Sequence, residues 1–182
     1  MGETPVKTRF AGRAMRIASA LTVLAMLLLS TNRTKAVPPS VVHFDDLHGS
    51  GPVPSGYGGV ADWGRYTYYD AVQAPYTPNS LLTRIYDATA TSSRITFAAP
   101  SEFLGAYFSG YGLDDPSLPA GNVSFQLYLG GTLVHTSAAL DPSAVPTFLA
   151  SSYFDPVDQV QVSVTPGRSY GFFAIDDFTF RV

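Results

Sequence analysis

Two pairs of adjacent aspartates, which could bind a metal or transfer protons, stand at the two ends of region 41–182. Each pair lies between apolar residues, in FDDL at 44–47 and in IDDF at 175–178. An ionised carboxylate is costly to bury without a partner, so these carboxylates must be solvated, hydrogen-bonded, metal-bound or catalytic. Residues three apart in a regular strand point to opposite faces. Burial of both flanking apolar residues therefore requires a bulge at the aspartates.

A bulge would expose backbone carbonyls beside the carboxylates, and calcium binds this mixture of oxygens. The two ends of a domain are often close in space. We therefore predict one structural calcium site that joins Asp45 or Asp46 to Asp176 or Asp177, with carbonyl oxygens from a neighbouring loop. The alternative is that the aspartates cap turns and accept hydrogen bonds from backbone N–H groups.

The same carboxylates could also form the acid and base of a glycosidase, which must face each other across a cleft. Adjacent aspartates on a terminal strand more often hold structure or metal, so we expect no catalysis. The sequence has no H-E-x-x-H and no phosphate-binding glycine loop before a helix. His43, His48 and His135 lack the spacing of metal ligands. The members of a Ser-His-Asp triad need only meet in space, so their spacing along the chain does not test for one. We place His135 at the surface.

An aromatic segment, GYGGVADWGRYTYYD at 56–70, is the second candidate site. Its candidate ligand-binding residues are Tyr57, Trp63, Tyr66 and Tyr68, whose rings could stack on the apolar faces of sugars. The alternative is that Trp63 and alternate tyrosines pack beneath this segment and close one end of the core. We favour the packing interpretation, because aromatics flanked by glycine commonly plug a core.

The first 36 residues differ in kind from the rest and predict an export signal. A basic region precedes an apolar run at 17–30, which is followed by a polar stretch. The run is too short to span a bilayer comfortably, although an uncleaved membrane anchor is the alternative. We predict a signal peptide at 1–36, a short leader at 37–40, and no membrane span after cleavage. The protein is then secreted.

Without residues 1–36 the chain is acidic, with five Arg, no Lys, 13 Asp and Glu, and a formal net charge of −8. Nucleic acids and anionic membranes are therefore not expected partners. The chain has no cysteine, which excludes disulfides and thiolate chemistry. The remaining 146 residues suffice for one domain with a core of its own.

The clearest structural element is a hairpin in NVSFQLYLGGTLVHTSAA, which begins at residue 122. Apolar and polar residues alternate before the glycines at 130–131, which predicts a strand and a two-residue turn. Pairing across this turn places Leu127 opposite Val134 and Gln126 opposite His135. One face of the hairpin is then apolar and the other polar.

Short alternating runs separated by turn residues predict an all-β domain at 41–182. Further strands are predicted at 41–47, 94–97, 102–109, 145–150, 157–164 and 170–181, with others between 66 and 86, and long loops at 48–64 and 111–121. The number of strands and the spacing of turns favour a two-sheet antiparallel β-sandwich of jelly-roll type.

The order of VHFDDL, VPSGYGGVADWGRY, FLGAYFSG, VSFQLYLGGTLVHT and FFAIDDFTF resembles secreted galactose-binding-like jelly-roll domains, which are similar to carbohydrate-binding modules. Such domains are found in hypothetical exported and PEP-CTERM-type proteins. The resemblance implies a non-catalytic β-sandwich with a structural calcium near the chain ends, for which Asp46 and Asp177 are the corresponding positions. The sequence does not end in a PEP motif with an apolar helix and basic tail, so sorting by that route is not expected.

We therefore expect a secreted, non-catalytic module that binds glycan or forms part of the cell surface or matrix, with structural calcium. A small extracellular polysaccharide hydrolase that uses the paired aspartates is one alternative. A purely structural extracellular protein is another. The sequence predicts no oligomeric state.

Overall fold

The computed structural model describes residues 37–72, 78–87, 93–110, 122–165 and 173–182, together with residue 2. Residues Val37–Val182 form one compact unit. The predicted signal peptide, apart from residue 2, and the predicted loop at 111–121 lie outside the described residues. Within the ranges that are described, no helix has the length and apolar character needed to cross a membrane.

The described residues form strands and one short 3-10 helix, Tyr57–Gly59. The strands are β1 (Ser40–Val42), β2 (Ser50–Pro52), β3 (Val60–Asp62), β4 (Thr67–Tyr69), β5 (Arg84–Tyr86), β6 (Arg94–Gly110), β7 (Asn122–Leu129), β8 (Thr132–Thr136), β9 (Thr147–Ala150), β10 (Val157–Thr165) and β11 (Phe173–Arg181). Every strand pairing in these ranges is antiparallel. The all-β prediction is therefore confirmed.

Hydrogen bonding joins the strands in the order β2-β4-β5-β11-β6-β10-β7-β8. Three more strands lie beside this path, with β1 on β11 and with β3 and β9 on β6. One side of β11 is shared by two strands, since β5 pairs at Ile175 and β1 pairs at Phe178 and beyond. The second aspartate pair falls in the gap between these two partners.

β6 connects two sets of strands. Its first part pairs with β3 and β10, and its second part pairs with β9 and β11. Thr96 pairs with Gln159, and Ser101 pairs with Val157. Between these two pairs β6 has four residues and β10 has only one. The sequence predicted two strands here, at 94–97 and 102–109. The chain instead continues as one irregular strand.

The β7–β8 hairpin has the predicted strands and turn but a different register. The observed pairs are Leu129 with Thr132, Tyr128 with Leu133, Leu127 with His135 and Gln126 with Thr136. The predicted pairs of Leu127 with Val134 and Gln126 with His135 are therefore wrong by one residue. Val134 is the extra residue of a bulge, and it packs partly against the core. Both turn glycines have positive φ, as a tight two-residue turn requires.

Several other predicted boundaries are corrected. The first strand ends at Val42 instead of residue 47, because Phe44 adopts a φ of 63° that leaves the extended region. The segment 48–64 is not one long loop, since it contains β2, the 3-10 helix and β3. β9 begins at Thr147, two residues later than predicted. The strand predicted at 170–181 is described from Phe173 onwards.

Aromatic side chains from both sets of strands meet in one core. Phe125 of β7 contacts Phe103 of β6 with ring centroids 4.7 Å apart, and Phe103 also lies 4.7 Å from Phe178 of β11. All three rings are fully buried. Edge and tilted ring contacts of this kind add to the stabilisation from buried apolar area. This packing anchors β11, which carries the second aspartate pair.

Candidate functional site

The second aspartate pair lies at a bulge in β11. Asp176 pairs with Tyr107 and Thr179 with Gly105, so β11 advances three residues while β6 advances two. Ile175 and Phe178 are both fully buried, and Asp177 has a φ of 49°. The predicted bulge is therefore confirmed at this pair. The extra residue lets two apolar residues three apart reach the same core.

The first aspartate pair lies in a turn instead of a strand. The N–H of Leu47 donates to the carbonyl of Phe44 at 2.9 Å, which closes a turn around Asp45 and Asp46. Phe44 is fully buried and Leu47 packs partly against the core. This position agrees with the alternative of turn-forming aspartates.

Ser80 brings one member of each pair together. Its hydroxyl oxygen lies 3.1 Å from Asp45 Oδ1, and 2.9 and 3.1 Å from the two carboxylate oxygens of Asp176. The backbone N–H of Leu81 also donates to Asp45 at 3.3 Å. The turn after β1, the segment before β5 and the bulge of β11 therefore meet at one hydroxyl group.

Asp176 is almost fully buried, with 3% of its surface exposed. The backbone N–H groups of Ser80 and Asp177 each donate to its carboxylate at 2.8 Å. Burial raises the pKa of Asp176 to about 6; its hydrogen bonds with Ser80 oppose this rise, and the nearby charge of Asp177 adds to it. Asp176 therefore titrates close to neutral pH.

The hydroxyl group of Ser80 supplies a single proton to two carboxylates. It can donate to Asp45 or to Asp176 at any one time, so the other contact brings two oxygen lone pairs together. A proton on one carboxyl group, or a cation beside the pair, would remove this repulsion.

Asp177 makes a separate set of contacts. Its Oδ1 lies 2.5 Å from His43 Nδ1, and its Oδ2 accepts from the side-chain amide of Asn79 at 2.5 Å. Asp46 does not join either carboxylate of β11, and instead accepts from the hydroxyl of Tyr57. Burial and this contact with Asp46 raise the pKa of Tyr57 above its ordinary range.

We call Asp45, Ser80, Asp176, Asp177 and His43 the aspartate junction. Calcium usually takes about six to eight oxygen ligands. In the parts of the chain that the structure describes, no three His, Cys, Asp or Glu side chains are grouped as metal ligands. Several junction oxygens already accept N–H or O–H donors. The residues therefore fit a hydrogen-bonded junction better than a complete calcium cage, and calcium stays a prediction.

The aromatic segment divides into buried and half-exposed rings. Trp63 and Tyr66 are 1% and 0% exposed, so their rings are closed to a ligand. Trp63 lies edge-on to Phe44 with centroids 5.1 Å apart, and its indole N–H donates to the carbonyl of Tyr57 at 3.1 Å. The burial of the candidate residues Trp63 and Tyr66 agrees with the packing interpretation that the sequence favoured. Tyr57 and Tyr68 are half-buried.

Sequence reasoning missed Asn79, Ser80 and the role of His43. Ser80 lies 35 residues from Asp45 and 96 from Asp176 along the chain, and His43 lies 134 from Asp177. No local spacing marks such contacts. His135, predicted at the surface, is half-buried, because it stacks on Tyr153 with centroids 5.1 Å apart.

No family model matches the chain, and neither a curated protein nor a solved structure matches it. The resemblance to galactose-binding-like jelly-roll domains therefore stays a prediction.

Proposed function

We propose that this chain is a secreted, non-catalytic module with a two-sheet jelly-roll sandwich, which binds glycan or forms part of the cell surface or matrix. The observation that supports the non-catalytic assignment is the use of the candidate carboxylates within the fold. Asp45 and Asp176 share Ser80, and Asp177 contacts His43 and Asn79. These contacts hold separate chain segments together.

The alternative of a polysaccharide hydrolase receives less support from this geometry. A glycosidase needs an acid and a base on opposite sides of a sugar bond, with room for the sugar between them. The raised pKa of Asp176 would suit a general acid. However, Asp176 is 3% exposed and lies against Ser80, so a glycosidic oxygen cannot approach it without rearrangement of the segment that contains Ser80.

A reducing-sugar assay on a panel of polysaccharides tests this assignment. We expect no release above the blank from the wild-type protein or from Asp176→Asn and Asp177→Asn. Asp155→Asn is the matched control, because Asp155 is exposed and lies outside the junction. Sugar release that disappears in the two junction variants and persists in the control would establish a hydrolase instead.

Structural calcium is part of the same proposal, and the observation that favours it is the contact of the Asp45 and Asp176 carboxylates with one Ser80 hydroxyl group. A bound cation could attract oxygens of both carboxylates at once, whereas the hydroxyl group can donate to only one of them. We expect 1 mM calcium chloride to raise the melting temperature above that in EDTA at pH 7.5, and we expect Asp176→Asn to reduce this increase. Equal melting temperatures in calcium and in EDTA would contradict the calcium site. The junction would then be held by hydrogen bonds alone.

A further inference from the structure

A polar surface lies on the outer side of β6, β7, β8 and β10, away from the aspartate junction. The register places Tyr128 opposite Gln159 and Leu133, and Gln161 opposite Gln126 and Arg94. The intervening residues of these strands, such as Leu127 and Val160, are buried in the core. We call the outward set the amide face: Arg94, Gln126, Tyr128, Leu133, Gln159 and Gln161.

Hydrogen bonds within the amide face hold its long side chains in place. Arg94 Nε donates to Gln161 Oε1 at 3.2 Å, and Arg94 Nη1 donates to Gln159 Oε1 at 3.0 Å. The guanidinium carbon lies 4.1 Å from the ring centroid of Tyr128. The hydroxyl of Tyr128 donates to Gln126 Oε1 at 3.0 Å. Side chains that are already ordered lose less entropy when a ligand binds.

These bonds decide which groups the amide face presents outward. The carbonyl oxygens of all three glutamines accept donors from within the face. Among the described residues, no bond engages the amide nitrogens of Gln126 and Gln159 or the Nη2 group of Arg94. The amide face therefore presents mainly N–H donors, and it suits a ligand rich in oxygen acceptors.

Charge limits the class of ligand further. Residues 37–182 carry a formal net charge of −8, which disfavours a polyanion. Asp62 pairs with Thr96 of β6 and Asp158 precedes Gln159 in β10, and the carboxylate of each accepts from a backbone N–H of a glycine. Leu133 is 48% exposed and gives the face an apolar patch beside Tyr128. Neutral sugars combine hydroxyl oxygens with apolar C–H faces, so they match these features.

We propose that the amide face binds a neutral polysaccharide chain. Adjacent strands lie about 4.8 Å apart, so amide groups on β7 and β10 can contact neighbouring hydroxyl groups of an extended chain. The N–H groups of Gln126, Gln159 and Arg94 donate to sugar oxygens, while Leu133 and the edge of Tyr128 pack against the sugar ring. This inference rests on the glycan-binding form of the proposed function, and it assigns that function to a surface.

The test is affinity electrophoresis of the full-length protein in gels that contain β-1,3-glucan, xylan, hydroxyethyl cellulose or polygalacturonate. Gln126→Glu and Gln159→Glu replace an N–H donor with an acceptor at nearly unchanged volume. We expect retardation by at least one neutral polysaccharide, weakened at least tenfold in each variant. Phe154→Ala is the control, because Phe154 is an exposed aromatic outside the face and its loss is expected to leave retardation unchanged.

The outcomes separate the inference from the function on which it rests. If a polysaccharide retards Gln126→Glu and Gln159→Glu as strongly as the wild type, the amide face is not the binding site. Glycan binding itself would stand. Retardation by polygalacturonate alone would overturn the assignment of a neutral ligand. A wild type that no polysaccharide retards would overturn glycan binding, and the amide-face proposal would fail with it. Equal melting temperatures of the variants and the wild type establish that each variant is folded.

Discussion

Replacement of Asp176 by Asn should change how the stability of the protein depends on pH. Asp176 is buried, and its pKa in the folded protein is raised to about 6. A carboxyl group whose pKa is higher in the folded state binds more protons there than in the unfolded state. Its contribution is therefore fully present below the ordinary pKa of an aspartate, about 4. That contribution is lost as the pH rises through about 6.

The size of the effect follows from the same values. A pKa about two pH units above the ordinary value corresponds to about 3 kcal/mol, at about 1.4 kcal/mol for each unit. Asparagine does not titrate. Asp176 accepts one hydrogen bond from the backbone N–H of Ser80 and one from that of Asp177, so the amide nitrogen of an asparagine must face one of these two donors. Loss of that bond costs about 1–3 kcal/mol at every pH. The pH dependence, and not the absolute stability, is therefore the decisive quantity.

Urea denaturation at intervals from pH 4 to pH 8, in EDTA, measures this quantity. Trp63 is the single tryptophan of the chain and is buried, so its fluorescence reports unfolding. We expect the free energy of unfolding of Asp176→Asn, relative to the wild type, to rise by about 2 kcal/mol between pH 4 and pH 7, because part of the full effect lies below pH 4. The exposed control Asp155→Asn should show a smaller change. Parallel stability curves for Asp176→Asn and the wild type would refute the reasoning.

Two further predictions concern packing. Trp63→Ala should lower the free energy of unfolding by about 3–5 kcal/mol, because it removes a fully buried ring and leaves a cavity. Urea denaturation followed by circular dichroism measures this loss. A loss below about 1 kcal/mol would contradict the packing role. Gly105→Ala should destabilise the protein far more than Gly130→Ala. A methyl group at 105 would lie 2.3 Å from the carbonyl oxygen of Leu149, whereas one at 130 meets nothing within 4 Å. Equal melting temperatures of the two alanine variants would contradict this difference.

The bulge at Asp176 and Asp177 could be predicted from the sequence, because Ile175 and Phe178 are both apolar and stand three residues apart. The strands and turn of the β7–β8 hairpin were predictable for a similar reason. The bulge at Val134 was not, because the alternation of apolar and polar residues also fits the unbulged register. A one-residue insertion in one strand depends on what each face contacts, and that is not a local property.

For the aspartates too, one part of their environment follows from the sequence and another part only from the tertiary structure. The sequence alone determined that two acidic pairs must find partners within or beside an all-β domain, since burial of apolar neighbours brings the carboxylates close to the core. Only the tertiary structure decided that Ser80 lies between Asp45 and Asp176, and that His43 and Asn79 contact Asp177. Turns and alternation arise between near neighbours in the chain. The partners of a buried carboxylate are set by the order in which distant strands pair, and here β1 and β5 pair with the same side of β11 on either side of the aspartates.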